Sequence, residues 1–359
     1  MSKARSLAAL GNAYDDGALS NRNLIINGAM QVAQRGTSFS GLTASQYTLD
    51  RWLSDENGTV VFTVTKEADG PDGFANSLKI NVDTANASLA AGDYFFLAHK
   101  FEGQNLQSLK KGTSAALPVT LSFWVKSNVT GTYILEFDDN DNSRNINKSY
   151  TVYSSGTWEY KTITFEGDTV AGFDDDASFS ARLFWWLDAG SNFRGGTLAT
   201  SWGSTNNVDR VEGNVTFADT VNNYWQITGV QLEVGDTATP FEHRSYGQEL
   251  ALCQRYYQRS VQTVGTTFGY GDGDVAAANC VNTNWLMDNL GFKVTMRAIP
   301  TFRNSGGAGT TGTVMRSSTG GNISLTLTCR TDGEVRGFPG GNVNAYESVQ
   351  FSWDADAEL

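Results

Sequence analysis

Two histidines stand in the 359-residue chain, His99 and His243. Neither has a nucleophile or second histidine at a familiar catalytic spacing. The sequence contains no G-x-S-x-G, no H-E-x-x-H and no phosphate-cradling P-loop. Both histidines therefore read as structural. Carboxylates do cluster, in Asp138-Asp139-Asn140-Asp141-Asn142 and in Asp174-Asp175-Asp176. Alternate oxygens from Asp138, Asn140 and Asn142 would suit a hard cation such as Ca2+. The calcium-loop pattern breaks at position six, which is Ser143, and no glutamate closes it. The plainer reading of both clusters is a solvated hairpin loop. Glycoside hydrolysis would need two carboxyls about 5–9.5 Å apart across a sugar, and nothing in the spacing places such a pair. The chain is expected not to be an enzyme.

Aromatic side chains offer a better route to a ligand, because sugar rings stack on exposed Trp or Tyr faces while amides and carboxylates bond their hydroxyls. Phe184-Trp185-Trp186-Leu187-Asp188 puts two tryptophans on opposite faces of one strand. One of them is expected to face outward. Trp202 and Asn206-Asn207 follow in a long polar loop. These residues could form a glycan rim or a contact with a neighbouring subunit, where tryptophan is also enriched. The subunit contact is the preferred of the two.

The elements that must position these residues are strands. Apolar alternation marks 60–66, 77–82, 94–101, 119–127, 132–137, 149–152, 158–165, 179–187 and 224–234, with Gly-, Asp- and Asn-rich turns between them. Antiparallel strands in this number, without intervening helices, predict a β-sandwich. Trp225-Gln226-Ile227-Thr228-Gly229-Val230-Gln231-Leu232-Glu233-Val234 reads as a closing strand with one buried face. Ser245 and Gln248 then form a capping-box pattern, and Tyr246, Leu250, Cys253 and Tyr257 make one stripe of a short helix. Beyond it, glycine-rich pieces at 265–273 and 306–321 separate short strands at 292–297, 314–318, 323–330, 334–338 and 349–353, a second and smaller β domain. The expected order is an N-terminal segment 1–20, a sandwich 21–245, a helix 246–259 and a C-terminal domain 260–359. Leu7, Leu10 and Tyr14 give the first segment a short helical stripe, expected to serve as an anchor or oligomer contact.

Bulk composition excludes several classes. A net charge of −12 and a pI near 4.7 oppose docking on phosphate, so nucleic acid is not an expected partner. No run approaches the roughly 18 apolar residues of a membrane span, and the N-terminus lacks a signal-peptide core. Three scattered cysteines, Cys253, Cys280 and Cys329, suit buried thiols formed in a reducing compartment.

Four strings carry a family resemblance: Asn21-Arg22-Asn23-Leu24-Ile25-Ile26-Asn27-Gly28-Ala29-Met30, Tyr47-Thr48-Leu49-Asp50-Arg51-Trp52, Leu121-Ser122-Phe123-Trp124-Val125-Lys126, and the stretch from Trp225 through the exit helix to Gln258. Spanning about 21–259, they resemble tailed-bacteriophage virion proteins of the tail-fibre or fibre-like type, whose central domain is similar to a carbohydrate-binding-module jelly roll. The resemblance implies a jelly-roll fold, a homotrimer, assembly in the host cytoplasm into a virion, and contacts with other tail or capsid proteins. Host-surface polysaccharide is the implied ligand. A capsid decoration protein that stabilises the shell is the alternative.

Overall fold

The computed structural model describes residues 21–260, 276–282, 285–288, 292–305, 313–316, 322–329, 335–339 and 348–359. The chain forms two compact units. One comprises, within these residues, 21–31, 40–46 and 53–244; the other comprises 32–39, 47–52 and the described residues from 245 onward. The expected anchor residues Leu7, Leu10 and Tyr14 lie outside the described residues, as do the glycine-rich pieces 265–273 and most of 306–321.

The first unit is an antiparallel jelly-roll sandwich. Its early strands are β1 (Ser38–Leu42), β2 (Gln46–Tyr47), β3 (Trp52–Asn57), β4 (Val61–Glu67) and β5 (Ser77–Thr84). The middle strands are β6 (Tyr94–Glu102), β7 (Val119–Ser127), β8 (Gly131–Asp139) and β9 (Arg144–Val152). The last are β10 (Glu159–Phe165), β11 (Phe179–Ala189), β12 (Gly203–Ser204) and β13 (Tyr224–Val234). The first sheet runs β1-β4-β5-β13-β7-β10 and the second β12-β9-β8-β11-β6-β3-β2. Successive strands and hairpins alternate between sheets, so each sheet is built from sequence-distant strands. The core lies between them, where Leu121, Phe123 and Val125 of β7 face Leu183, Trp185 and Leu187 of β11, all fully buried.

The closing strand departs from simple alternation. Ile227 pairs with Val125, yet Leu232 pairs with Leu121, and the register breaks between Thr228 and Gln231. An extra residue is absorbed there, at Gly229, whose φ is +61°. The inward set therefore switches from Trp225 and Ile227 to Val230 and Leu232, all fully buried. A single period-2 face was expected; the bulge gives the strand two halves that bury opposite parities.

The second unit contains the helix α1 (Tyr246–Gln254). Ser245 Oγ accepts from Gln248 N–H and the Gln248 side chain accepts from Ser245 N–H, so the capping box forms. The stripe does not hold as expected. Tyr246 is exposed, the buried residues are Glu249, Cys253 and Gln254, and Tyr257 already belongs to strand β14 (Tyr257–Arg259). The helix stops at Gln254 because the next backbone pairs as a strand. The further strands are β15 (Ala276–Asn282), β16 (Trp285–Asp288), β17 (Thr301–Ser305), β18 (Thr313–Arg316), β19 (Asn322–Cys329), β20 (Val335–Pro339) and β21 (Ser348–Asp356). Their order is β14-β21-β15-β16-β20-β19-β18, with β17 paired to β21 off this path, and β18 also pairs with β21, which closes the sheet on itself. The strand expected at 292–297 is absent. There the Gln258 side chain accepts from Lys293 N–H and donates to the Val294 carbonyl, replacing ladder partners. Among the described residues no helix is long and apolar enough to cross a membrane.

Candidate functional site

Strand β11 supplies the centre of a face that combines charge with a dense aromatic floor. Its register aligns three rows across β6, β11 and β8: Lys100–Arg182–Asp138, Ala98–Phe184–Glu136 and Phe96–Trp186–Ile134. Period-2 alternation puts all three on the side of the second sheet away from Leu183 and Trp185. The floor is a contiguous ring cluster. Phe96 meets Phe184 edge-on at 4.6 Å and Trp186 at 5.2 Å, and Tyr94 stacks on Phe96 at 5.3 Å. Phe193, from the loop after β11, closes on Trp186 at 5.7 Å.

Two arginines lie over these rings. The Arg182 guanidinium sits 4.4 Å from the Phe184 centroid and its Nε donates to Asp138 Oδ2 at 2.9 Å. Arg210 lies 5.0 Å from the Trp186 centroid, and its Nε donates to both Glu136 oxygens at 3.0 Å. Burial pushes the Glu136 and Asp138 carboxyls above their usual range, against the pull of the arginines. Burial likewise raises Asp55, opposed by a Ser45 hydrogen bond and by Lys100. Tyr94 is raised too, by burial and then by Asp55. Tyr94, Asp55, Lys100 and Arg182 remain half-exposed around the floor. The face thus offers cationic donors, a carboxylate and a phenol beside apolar rings, the mixture that recognises a hydroxylated ring.

The tryptophans picked out from sequence behave differently from expectation. Trp185 is fully buried in the sandwich against Phe123, and Trp186 is only 1% exposed. Neither faces solvent, because the loop after β11 folds over the outer side. Asn147 Nδ2 donates to the Asp209 and Arg210 carbonyls, and Val211 N–H donates to the Phe193 carbonyl. Trp186 therefore forms floor, not rim. Trp202 is half-buried elsewhere, donating to the Glu166 carbonyl at 2.6 Å and packing on Phe137 at 5.5 Å. Asn206 and Asn207 are exposed; Asn206 Nδ2 bonds Asp209 at 2.6 Å.

The three side chains expected to share a cation each have protein partners. Asp138 is engaged by Arg182, while Asn140 Nδ2 donates to the Phe179 carbonyl. Asn142 turns its amide nitrogen to Asp139 and to the Gly172 carbonyl. Among the described residues no three His, Cys, Asp or Glu side chains group to hold a metal ion. Asp174, Asp175 and Asp176 are exposed in a loop. His99 is buried with Nε2 against the Ile26 backbone, and His243 is exposed beside Phe74.

Sequence reading missed Tyr94, Lys100, Glu136, Arg182 and Arg210. Alternation within 94–102 and 179–189 does place Arg182, Phe184 and Trp186 on one face, but pairing partners cannot be read from one strand.

No family model matches this chain, and no curated protein matches it. Among solved structures it is similar to the enzymatically active domain of tailspike protein 4 of bacteriophage CBA120, at TM-score 0.34 and 14% identity, over 59% of this chain and 21% of that one. It is also similar to a carbohydrate-binding module, TmCBM61, solved with β-1,4-galactotriose (TM-score 0.31, 14% identity, 60% of this chain and 99% of that one). The family 11 module of the Clostridium thermocellum cellulase Lic26A-Cel5E gives TM-score 0.28 and 10% identity, over 57% and 99%.

Proposed function

We propose that this chain is a non-enzymatic structural protein of a tailed-phage virion, a fibre-like appendage whose jelly-roll body binds host-surface glycan on the outer face of the second sheet. The observation that carries the binding role is the Lys100–Arg182–Asp138 row, whose Arg182 lies over Phe184 in the Tyr94–Phe96–Phe184 ring cluster. The virion assignment rests on the sequence resemblance. A binding role is favoured over hydrolysis because the two β8 carboxylates of this face are each closed by an arginine, Asp138 by Arg182 and Glu136 by Arg210. A general acid needs a proton to give and a path to the sugar oxygen. Attachment through the N-terminal segment and assembly as a homotrimer complete the reading.

The test is calorimetric titration with host-envelope polysaccharide, comparing the intact chain with Arg182→Ala and Tyr94→Ala. Each variant loses about tenfold or more in affinity if the face binds sugar. Unchanged affinity in both, or release of reducing sugar by the intact chain, overturns the proposal. Light scattering of the same samples reports the trimer.

A further inference from the structure

The opposite side of the sandwich carries a second aromatic surface. On the outer face of the first sheet, Tyr160 of β10 pairs directly with Trp124 of β7, their rings 5.2 Å apart. Tyr160 is 46% exposed and Trp124 is half-exposed. Next along the face is Gly229, in the bulge of β13. A Cβ there would stand 2.7 Å from the Phe74 ring and 3.1 Å from Trp124. With no side chain at 229, Phe74 and Trp124 close over the glycine from either side. Phe74 in turn meets Phe241 at 5.0 Å and His243 at 5.4 Å. The result is a continuous row, Tyr160–Trp124–Phe74–Phe241–His243, across one sheet face.

Polar groups flank this row. Lys126, two residues from Trp124 on the same face, is ion-paired with Asp69, and the Trp158 indole N–H points to the same carboxylate at 3.4 Å. Lys126 also lies 5.1 Å from the Trp158 ring, and Thr162 is exposed beside Tyr160 on β10. A protein-docking patch has an apolar centre depleted of Lys and Asp. This surface instead interleaves rings with a charged pair and a hydroxyl, which matches a ligand that alternates C–H faces with hydroxyls.

We propose that the Tyr160–Trp124–Phe74 row is a second saccharide-binding track, taking a neutral glycan chain by stacking successive pyranose rings, with Lys126 and Asp69 bonding their hydroxyls. It stands independently of the face on the second sheet, from which it differs in having its rings open to solvent. The bulge makes the track: it supplies the positive-φ glycine over which the Phe74 and Trp124 rings converge.

The experiment uses the intact chain with three neutral hexasaccharide probes, of β-linked glucose, β-linked galactose and N-acetylglucosamine. Tryptophan fluorescence and calorimetry are followed to millimolar probe. At least one probe is expected to bind saturably, shifting the emission, with about tenfold loss in Tyr160→Ala and Trp124→Ala. Tyr160 is exposed, so its truncation keeps the test open should Trp124→Ala fail to fold. Absence of saturable binding by all three probes overturns the proposal. So does binding that survives Tyr160→Ala, or binding lost in Arg182→Ala alone, which would assign the sugar to the other sheet. Dissociation of an oligomer by Tyr160→Ala without loss of sugar binding would make the row a contact between copies, and also overturns it.

Discussion

The Trp186 indole donates its Nε1–H to Glu136 Oε2 at 2.8 Å, and both side chains are withdrawn from water. Sequence alternation alone would have left this tryptophan on a solvent-facing side. Its indole instead shares the Glu136 carboxylate with Arg210, so ring, acid and base form one buried unit. Such a unit is costly to break from one end, because the remaining charge keeps its desolvation penalty.

Glu136→Ala is accordingly expected to destabilise the sandwich by about 3–5 kcal/mol. It strands the Arg210 guanidinium and leaves the Trp186 N–H without its acceptor. Urea denaturation monitored by tryptophan fluorescence measures this. A loss below about 1 kcal/mol would mean that the cluster is open to water.

Glu56 sets a pH dependence. Burial pushes its carboxyl up to about 7 from an ordinary 4.5; the Val60 N–H opposes the rise, and Asp93 and Asp55 add to it. Between those two values the folded state keeps a proton that the unfolded state has lost, so stability falls as pH rises from about 4.5 to about 7 and levels above that. Glu136, Asp138 and Asp188, also raised by burial, slope the same way. Thermal melts of Glu56→Gln across pH 4 to 9 are expected to show a shallower decline than the parent chain. An identical slope in the two would remove Glu56 as the cause.

In the second unit, Glu358 lies between two arginines. It pairs with Arg51, which stacks 3.5 Å from the Tyr256 ring, and with Arg35 at 3.3 Å. Burial works against charge on both guanidiniums; Glu358 is the first of the groups that oppose it, joined by Asp50 and Asp356 at Arg35 and by Tyr256 and Tyr47 at Arg51, and together they hold both raised. Glu358→Ala should cost that unit about 3 kcal/mol or more, read as an earlier calorimetric transition. Glu358→Asp, with a shorter reach, should lie between. A transition unmoved by either change would show the carboxylate to be dispensable.

Legibility differs by element. The strands read at 77–82, 94–101, 119–127, 179–187 and 224–234 are visible because each carries alternating apolar residues, the last in two halves on either side of the Gly229 bulge. The capping box at Ser245 and Gln248 was visible because both halves lie within one turn. The 292–297 segment misled, since its alternation is shared by a loop whose polar backbone is satisfied by the Gln258 side chain.

Period-2 burial and turn chemistry act over a few residues and need no partner, so the all-β class is written in the local pattern. Which surfaces stay available is set by the assembled fold. Trp186 became floor because the loop after β11 folds over it, and Trp124 and Phe74 close on Gly229 because the bulge turns that glycine outward between them. Both outcomes depend on contacts between residues distant in sequence. Local spacing carries no record of such contacts: they arise when separate strands are registered against one another and loops return over the faces.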